Sequence, residues 1–283
     1  MYKRQGQQYP FTVSYAMERD PTRQVAAPTG AADTFGGVMA HPPASELVDR
    51  PGVGRVFMAR RPVRLGDVDA RARLRLDATA RYLQDIATDD ATDARLDDAF
   101  GWVVRRTMIE IRRAAGLDEH LELSTFCAGT GRSWAERRTS ISGDRGAAIE
   151  AVSLWIRVDP ATGRPTALGD DFVSAYGEAV RGRRVSSRLH LPAPPPDAAV
   201  RPWVIRRVDI DPLGHVNNAA QWAIVEETLP ADRSRRGVAE IEHRAPVDES
   251  GELRTTLDPH GVRSSWLTVG DAVLTAARWS PAP

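Results

Sequence analysis

One short segment of the chain concentrates side chains that can do acid–base or nucleophilic chemistry. Between residues 206 and 218 it holds two carboxylates, a glycine, an imidazole and two carboxamides. Asp211 can activate water as a general base, or attack a carbonyl carbon itself. His215 can orient the substrate or protonate a leaving group. The order of the residues is Arg206-Arg207-Val208-Asp209-Ile210-Asp211-Pro212-Leu213-Gly214-His215-Val216-Asn217-Asn218.

The rest of this segment can form a binding surface around the reacting group. Asn217 or Asn218 can cap a helix predicted over 218–229, because their side-chain oxygens accept N–H groups left free at a helix start. Such N–H groups can stabilise a negatively charged oxygen, and Gly214 lets the backbone approach a ligand closely. Each residue alone is at least as often part of a turn or cap. The expected site residues are Asp211 and His215 for catalysis, and Gly214, Val216, Asn217 and Asn218 for substrate binding.

Other reactive side chains have simpler interpretations. Cys127 is the only cysteine and lies in a strand-like stretch without a nearby histidine, which predicts a buried structural thiol. His243 alternates with charged neighbours in a predicted strand, so we expect a packed or surface histidine. Residues 67–69 (Asp-Val-Asp) repeat the spacing of residues 209–211, but no Gly-His-Val-Asn-Asn follows them. We interpret them as a degenerate copy of the site.

The charged side chains around the segment are typical of a solvated surface. Glu226 and Glu227 lie in the predicted helix 218–229, and we expect a solvated face there. Stretches 181–188 and 201–207 are rich in arginine. They are typical of a solvated surface, with docking of an acidic partner or a phosphate group as the alternative.

The elements around the segment follow one order twice. A strand near 56–59 precedes a helix near 77–90, for which Asp77 is the expected N-cap, and further strands follow. One helix followed by a run of antiparallel strands predicts an α+β fold. A short helix is predicted at 170–180. The other predicted strands are 103–113, 121–128, 133–142 and 147–158 in the first half, and 203–208, 237–244, 252–257, 263–269 and 272–279 in the second.

This repetition predicts the organisation of the chain. Residues 1–50 show neither helical nor strand periodicity, and we expect a disordered tail there. Residues 51–190 form the first repeat and residues 201–283 the second. The proline-rich stretch 191–200 between them is expected to be a stiff linker.

Composition excludes several classes of function. Of the 283 residues 27% are charged, but the formal net charge is zero, so we expect no binding to nucleic acid. No apolar run reaches the length of a membrane span. A single cysteine rules out an intramolecular disulfide and disfavours a cysteine-based metal site. The sequence therefore predicts a cytoplasmic protein without a metal centre.

Several motifs together resemble the acyl-ACP thioesterase family of plants and bacteria. The segment 209–218 resembles the hotdog thioesterase pattern Asp-x-Asp-x-x-Gly-His-Val-Asn-Asn. Four further motifs also resemble this family and follow one another along the chain in the family's order. Leu83-Gln84-Asp85 resembles its Leu-Gln-Glu motif, and Trp102-Val103-Val104-Arg105-Arg106 its Trp-Val-Val-x-Arg motif. Ser153-Leu154-Trp155-Ile156 resembles its Ser-x-Trp-x motif, and Ile241-Glu242-His243-Arg244 its Leu-Glu-Tyr-Arg motif.

This resemblance implies a fold, an activity and a site. The fold is a tandem (double) hotdog, in which an antiparallel sheet wraps a central helix in each half. The activity is hydrolysis of fatty acyl-ACP to free fatty acid and holo-ACP in fatty acid biosynthesis, without a cofactor. The family's catalytic Asp and His fall on Asp211 and His215. Its catalytic Asn falls on Leu213 and its Glu-Cys pair on Pro246 and Val247, which cannot do that chemistry.

Alternatives remain open at the level of the sequence. Single-hotdog thioesterases of the hydroxybenzoyl-CoA type resemble the Asp-x-Asp-Pro-x-Gly loop better, and they too place one catalytic carboxylate on Asp211. The substrate is acyl-ACP or acyl-CoA, so acyl carrier protein is the expected partner in the first case. A non-catalytic protein that binds acyl thioesters is the third hypothesis. A homodimer is compatible with all three.

Overall fold

The computed structural model describes residues 47–96, 101–229 and 235–282, so the predicted tail falls almost wholly outside the described residues. Ten strands and three α-helices occur in these ranges. The strands are β1 (Phe57–Pro62), β2 (Trp102–Arg113), β3 (His120–Thr130), β4 (Trp134–Gly143), β5 (Ala148–Arg157), β6 (Ala199–Trp203), β7 (Gly237–His243), β8 (Gly251–Leu257), β9 (Arg263–Val269) and β10 (Ala272–Pro281). The helices are α1 (Leu76–Asp93), α2 (Asp170–Val180) and α3 (Ala223–Glu226), with 3-10 turns at Leu65–Asp67, Arg207–Asp209 and Ala220–Trp222.

All ten strands form one antiparallel sheet in the order β1-β3-β4-β5-β2-β7-β10-β9-β8-β6. Read inward from its outer edge, each half contains its first, third, fourth, fifth and second strand. The halves join where β2 pairs with β7, from Arg106 opposite Glu242 to Ile111 opposite Gly237. The chain therefore repeats its topology, and the predicted α+β class with a large antiparallel sheet is confirmed.

The helices pack on one face of this sheet in a core shared by both halves. Leu76, Tyr82 and Ile86 of α1 are buried there together with Trp222 and Ile224. Burial on α1 recurs every three to four residues, as expected for a helix with one apolar face. None of the helices in the described ranges is both long and apolar enough to span a membrane.

The stretch between the halves crosses the opposite face of the sheet. Glu242 is fully buried there, and its Oε1 accepts the N–H groups of His190 and Leu191 at 2.5 and 2.9 Å. The indole N–H of Trp266 donates to the carbonyl of Pro192 at 2.8 Å. These bonds fix the start of the predicted linker, and β6 begins at Ala199.

Two predicted elements of the second half differ from the structure. Of the strand predicted at 203–208, only Trp203 lies in a strand, at the end of β6. Beyond it, the carboxylate of Asp209 accepts the N–H of Arg206 and closes a 3-10 turn. The helix predicted at 218–229 is reduced to a 3-10 turn followed by the four residues of α3. A proline follows Leu229 in the sequence, and helical backbone angles are sterically disfavoured for the residue that precedes a proline.

The start of α1 also differs from the prediction. Arg75, not Asp77, is the N-cap residue, and the helix begins at Leu76. Asp77 lies in the first turn and accepts from the guanidinium of Arg75 at 2.8 Å. The N–H of Leu76 is capped by a carboxylate of the other half, which the sequence alone does not reveal.

Candidate active site

The segment 209–217 folds into a closed loop between β6 and α3. The N–H of Asp211 donates to the carbonyl of His215 at 2.9 Å, and the N–H of Asn217 donates to the carbonyl of Asp209 at 2.8 Å. Gly214 closes the turn with φ +82°, in the left-handed region that favours glycine. The loop therefore holds Asp211 and His215 on one tight turn, as the sequence predicts.

The first half contains the same loop, built with different side chains. The N–H of Asp69 donates to the carbonyl of Arg73 at 2.8 Å, and the N–H of Arg75 to that of Asp67 at 3.0 Å. Ala72 takes the place of Gly214 and also has a positive φ, at 57°. Each matched pair is separated by the same number of residues along the chain. Residue-by-residue comparison of the two loops is therefore justified.

In the first-half loop, carboxylates accept the backbone N–H groups of Arg71, Arg73 and Leu76. Oδ1 of Asp69 accepts the N–H of Arg73 at 3.0 Å, and Oε1 of Glu226 accepts the N–H of Leu76 at 2.5 Å. Arg235 connects the two carboxylates through contacts of 3.2 and 2.5 Å. The N–H groups of Arg73 and Leu76 thus each donate to an oxygen of a different carboxylate.

In the second-half loop the equivalent N–H groups belong to His215 and Asn218, and both are open. Neither donates a hydrogen bond to any part of the chain that the structure describes. The Asp211 carboxylate does not turn onto the N–H of His215. Its Oδ1 accepts only the N–H of Leu213, at 2.9 Å, and its Oδ2 accepts none from the described residues. Two of the N–H groups that donate to carboxylates in the first loop therefore have equivalents in the second loop without a partner among the described residues.

Gln84 occupies on α1 the position that Glu226 occupies after the second loop. It is half-buried, and its side chain forms no hydrogen bond within the described ranges. By the repeat, Gln84 is the counterpart of Glu226, which reaches across to the other loop. A neutral carboxamide there cannot fill the N–H pair with negative charge as Glu226 does.

The side chain of His215 has an unsatisfied nitrogen. Its Nδ1 is buried and has no hydrogen-bond partner among the residues that the structure describes. A buried polar atom without a partner costs free energy, and in native proteins such atoms are concentrated at working sites. The placement is consistent with a role for His215 toward a substrate.

The residues predicted to bind substrate have different surroundings. Gly214 is exposed, with open space on the side where a Cβ would project, and Asn218 presents its free N–H. Val216 is buried and donates its N–H to Val247 at 2.7 Å, while Asn217 accepts the N–H of Ala219 at 2.8 Å. The N–H groups of Val216 and Gly214 (the latter donates to the carbonyl of Asp211 at 2.9 Å) and the side chain of Asn217 therefore hold the loop together, whereas the N–H of Asn218 has no partner among the described residues.

A buried polar network behind the loop was not predicted. Gln221 donates to the carbonyl of Val216 at 3.2 Å, so its Oε1 faces Thr275 and His243, at 2.7 and 2.9 Å. Burial, together with the charge of Arg105, lowers the pKa of His243 to about 3. Of the two alternatives expected from the sequence, a packed or a surface histidine, His243 is the packed one. Its alternation with charged residues in the sequence does not indicate that Gln221 is its partner.

The other sequence candidates are now placed. Cys127 is buried, and burial raises the pKa of its thiol to about 12, so the prediction of a structural thiol is confirmed. The prediction of a solvated face was wrong for Glu226, whose side chain is 12% exposed, because it caps α1 and pairs with Arg235. Glu227 has a side chain that is 57% exposed, as expected for that face.

Two cavities lie next to the helices. One of about 290 Å³ borders the loop and is lined by Trp203, Asp209, Gln221, Ile224 and neighbouring apolar side chains. A larger one of about 520 Å³ lies in the first half, at the C-terminal end of α1, between α1, α2 and the sheet. Asp209 and Val216 of the loop line the smaller cavity, whereas Asp211 and His215 do not.

The fold is a repeated antiparallel sheet packed on helices, and comparison with known proteins identifies its family. Residues 54–176 match the family model of the acyl-ACP thioesterase N-terminal domain. The uncharacterized protein Rv2001 of Mycobacterium tuberculosis is 32% identical over 82% of this chain and 94% of its own length. The chain belongs to the acyl-ACP thioesterase family, as the sequence motifs indicate.

Solved structures agree on the fold. The 12:0-ACP thioesterase of Umbellularia californica superposes with a TM-score of 0.67 at 20% identity, covering 80% of this chain and 96% of that one. An acyl-ACP thioesterase of Bacteroides thetaiotaomicron gives 0.65 at 19% identity, covering 80% and 97%. The likeness therefore extends over both halves of the chain.

Proposed function

We propose that the protein hydrolyses fatty acyl-ACP to free fatty acid and holo-ACP, with Asp211 as the catalytic carboxylate. Family membership supports thioester hydrolysis. One observation supports the site: the N–H pair that carboxylates fill in the first loop is open in the second, beside Asp211. Backbone N–H groups that donate to carboxylate oxygens in one loop can donate to the oxyanion of a tetrahedral intermediate in the other.

The proposed reaction uses groups of this loop alone. The thioester oxygen accepts the N–H groups of His215 and Asn218, and Asp211 takes a proton from a water molecule as that water attacks the carbonyl carbon. The carbon–sulfur bond then breaks, and the thiolate leaves with the proton that the Asp211 carboxyl group returns, either directly or through His215. Direct attack by Asp211 on the carbonyl carbon is the alternative route, and it would form an acyl anhydride that hydroxylamine can trap.

We further propose that the repeated five-strand units are two hotdogs in tandem. The repeated strand order and the helices on one face support this interpretation. A reduced, buried Cys127 is compatible with the cytoplasm as the location, where fatty acid biosynthesis would supply the acyl carrier protein.

Thiol release from acyl-ACP and acyl-CoA, measured side by side, tests the proposal. The native protein is expected to turn over acyl-ACP with the higher kcat/KM. Asp211→Asn keeps the shape of the side chain and should lower kcat by about 10²–10⁴-fold, the range for a lost acid–base group. The control is Asp197→Asn, an exposed carboxylate of the linker, which should keep native turnover. Full turnover by Asp211→Asn would overturn the assignment.

A non-catalytic protein that binds acyl thioesters is the second candidate. It is favoured by the departures from the family's catalytic pattern at Leu213, Pro246 and Val247. Its result in the same experiment is distinct: tight binding of acyl-ACP by the native chain without release of thiol. Leu213→Asn adds a further test, since restored turnover would show that the family's missing carboxamide limits the native chain.

A further inference from the structure

The cavity of about 290 Å³ beside the loop has a filled counterpart in the first half. There the fully buried ring of Tyr82 lies under the guanidinium of Arg61, 3.5 Å from its centroid, and its hydroxyl donates to Asp67 at 2.6 Å. By the same matching that relates the two loops, Tyr82 corresponds to Ile224 and Asp67 to Asp209. Ile224 is too short to reach Asp209, and the space between them is the cavity.

Asp209 retains the capacity to accept a hydroxyl. Its carboxylate receives the N–H and the guanidinium of Arg206 through three hydrogen bonds of 2.7 to 3.0 Å. A carboxylate has about four acceptor positions, so one remains. The Arg206 guanidinium lowers the pKa of Asp209, which keeps it ionised and a strong acceptor. In the first half, Asp67 uses this capacity for the Tyr82 hydroxyl.

The walls and the mouth of the cavity differ in character. Trp203, Ile224 and Val247 supply apolar surface inside. Arg206 and Arg207 lie at the exposed turn beside it, and Arg207 pairs with no carboxylate in the described part of the chain. A ligand that matches has an apolar body, a hydroxyl that donates to Asp209 and a negative charge that remains outside. At about 290 Å³ the cavity is near the lower limit of small-molecule sites.

We propose that this cavity is the subsite for the pantoyl part of the phosphopantetheine arm that carries the acyl group. The pantoyl unit combines two methyl groups on one carbon, a neighbouring hydroxyl and a terminal phosphate. The methyl groups take the place of the Tyr82 ring, the hydroxyl donates to Asp209, and the phosphate meets the arginines at the mouth. This inference rests on the proposed thioesterase function, because it assigns the carrier part of the same substrate.

Ile224→Tyr tests the subsite by giving the second half the side chain that fills the first. Its kcat/KM on acyl-CoA and acyl-ACP should fall at least tenfold, mainly through KM. The N-acetylcysteamine thioester of the same acid lacks both the pantoyl unit and its phosphate. On this substrate, kcat/KM of the variant should stay within about twofold of the native value. Leu257→Tyr places a tyrosine at an exposed position that does not line the cavity, and serves as the control. Equal effects on both kinds of substrate, or none, would overturn the assignment.

A binding measurement separates this inference from the hydrolytic function. Calorimetry with pantetheine 4′-phosphate and with its analogue lacking the pantoyl hydroxyl needs no turnover and no variant. Pantetheine 4′-phosphate should bind the native protein about tenfold or more tightly than the analogue, because the analogue lacks the hydrogen bond to a charged carboxylate. Binding without any thioesterase activity would keep the subsite and refute hydrolysis. Indistinguishable binding of the two compounds would refute the subsite even in an active enzyme.

Discussion

Replacement of Glu226 by alanine is expected to destabilise the protein far more than replacement of its neighbour Glu227. Glu226 caps the N–H of Leu76 at 2.5 Å and pairs at 2.5 Å with Arg235, whose side chain is 8% exposed. Breaking a buried ion pair costs about 3–5 kcal/mol. The lower value applies, because Arg235 keeps its contact with Asp69 at 3.2 Å. Loss of the helix cap adds about 1 kcal/mol.

The resulting loss of about 4 kcal/mol corresponds to a fall in Tm of roughly 8–16 °C for a protein of this size. Urea titration followed by tryptophan fluorescence measures the free energy, and thermal denaturation checks the Tm. Glu227→Ala is the control: its contact with exposed Arg201 is 3.8 Å long, and a change within about 0.5 kcal/mol is expected. If Glu226→Ala lost less than about 1 kcal/mol, the connection between the halves would not be as the structure has it.

Three further predictions follow from single side chains. The pKa of His243 is lowered to about 3, so as the pH falls below about 6.5 the unfolded chain takes up a proton at this residue before the folded protein does. The free energy of unfolding should therefore fall by up to about 2 kcal/mol between pH 6.5 and 5. This slope should be flatter in His243→Gln, and an unchanged slope in that variant would contradict the prediction. Cys127, with its pKa near 12, should resist iodoacetamide at pH 8 until urea unfolds the protein. Gln84→Glu should lower turnover without lowering Tm. By the repeat, a carboxylate at this position is expected to accept the N–H of Asn218, as Glu226 accepts that of Leu76. Gln84→Met, which adds no acceptor, should lower turnover less.

The sequence predicted the elements with long and regular patterns. Helix α1, strands β2 to β5 and the last three strands all lie near their predicted positions, because alternation and helical spacing depend on local side chains. The strand at 203–208 and the helix at 218–229 were predicted less well. Both are limited by non-periodic features, the cap of Arg206 by Asp209 and the proline after Leu229.

The candidate site was predictable only in part, because it depends on contacts between residues that are far apart in the sequence. The spacing of Asp211, Gly214 and His215 identifies the loop, and the structure shows that the loop closes as a single turn. Which N–H groups are occupied depends on Glu226 reaching across from the other half, and local spacing contains no information about such a contact. The echo at residues 67–69 is the one sequence signal that could have prompted the comparison.

The two loops together explain how one fold can combine stability with an open site. In the first, Asp69 binds the backbone and both Arg73 and Arg235; burial alone would raise its pKa, but these bonds outweigh it and hold the pKa below the ordinary value. The carboxylates of that loop are thus directed inward and contribute to stability. In the second, His215 stands at the position of Arg73 and Gln84 at that of Glu226, and the N–H groups of His215 and Asn218 have no partner in the described part of the chain. The proposed catalytic role of this loop therefore depends on donors without internal partners. For that reason the residues that differ between the two loops are the ones to test.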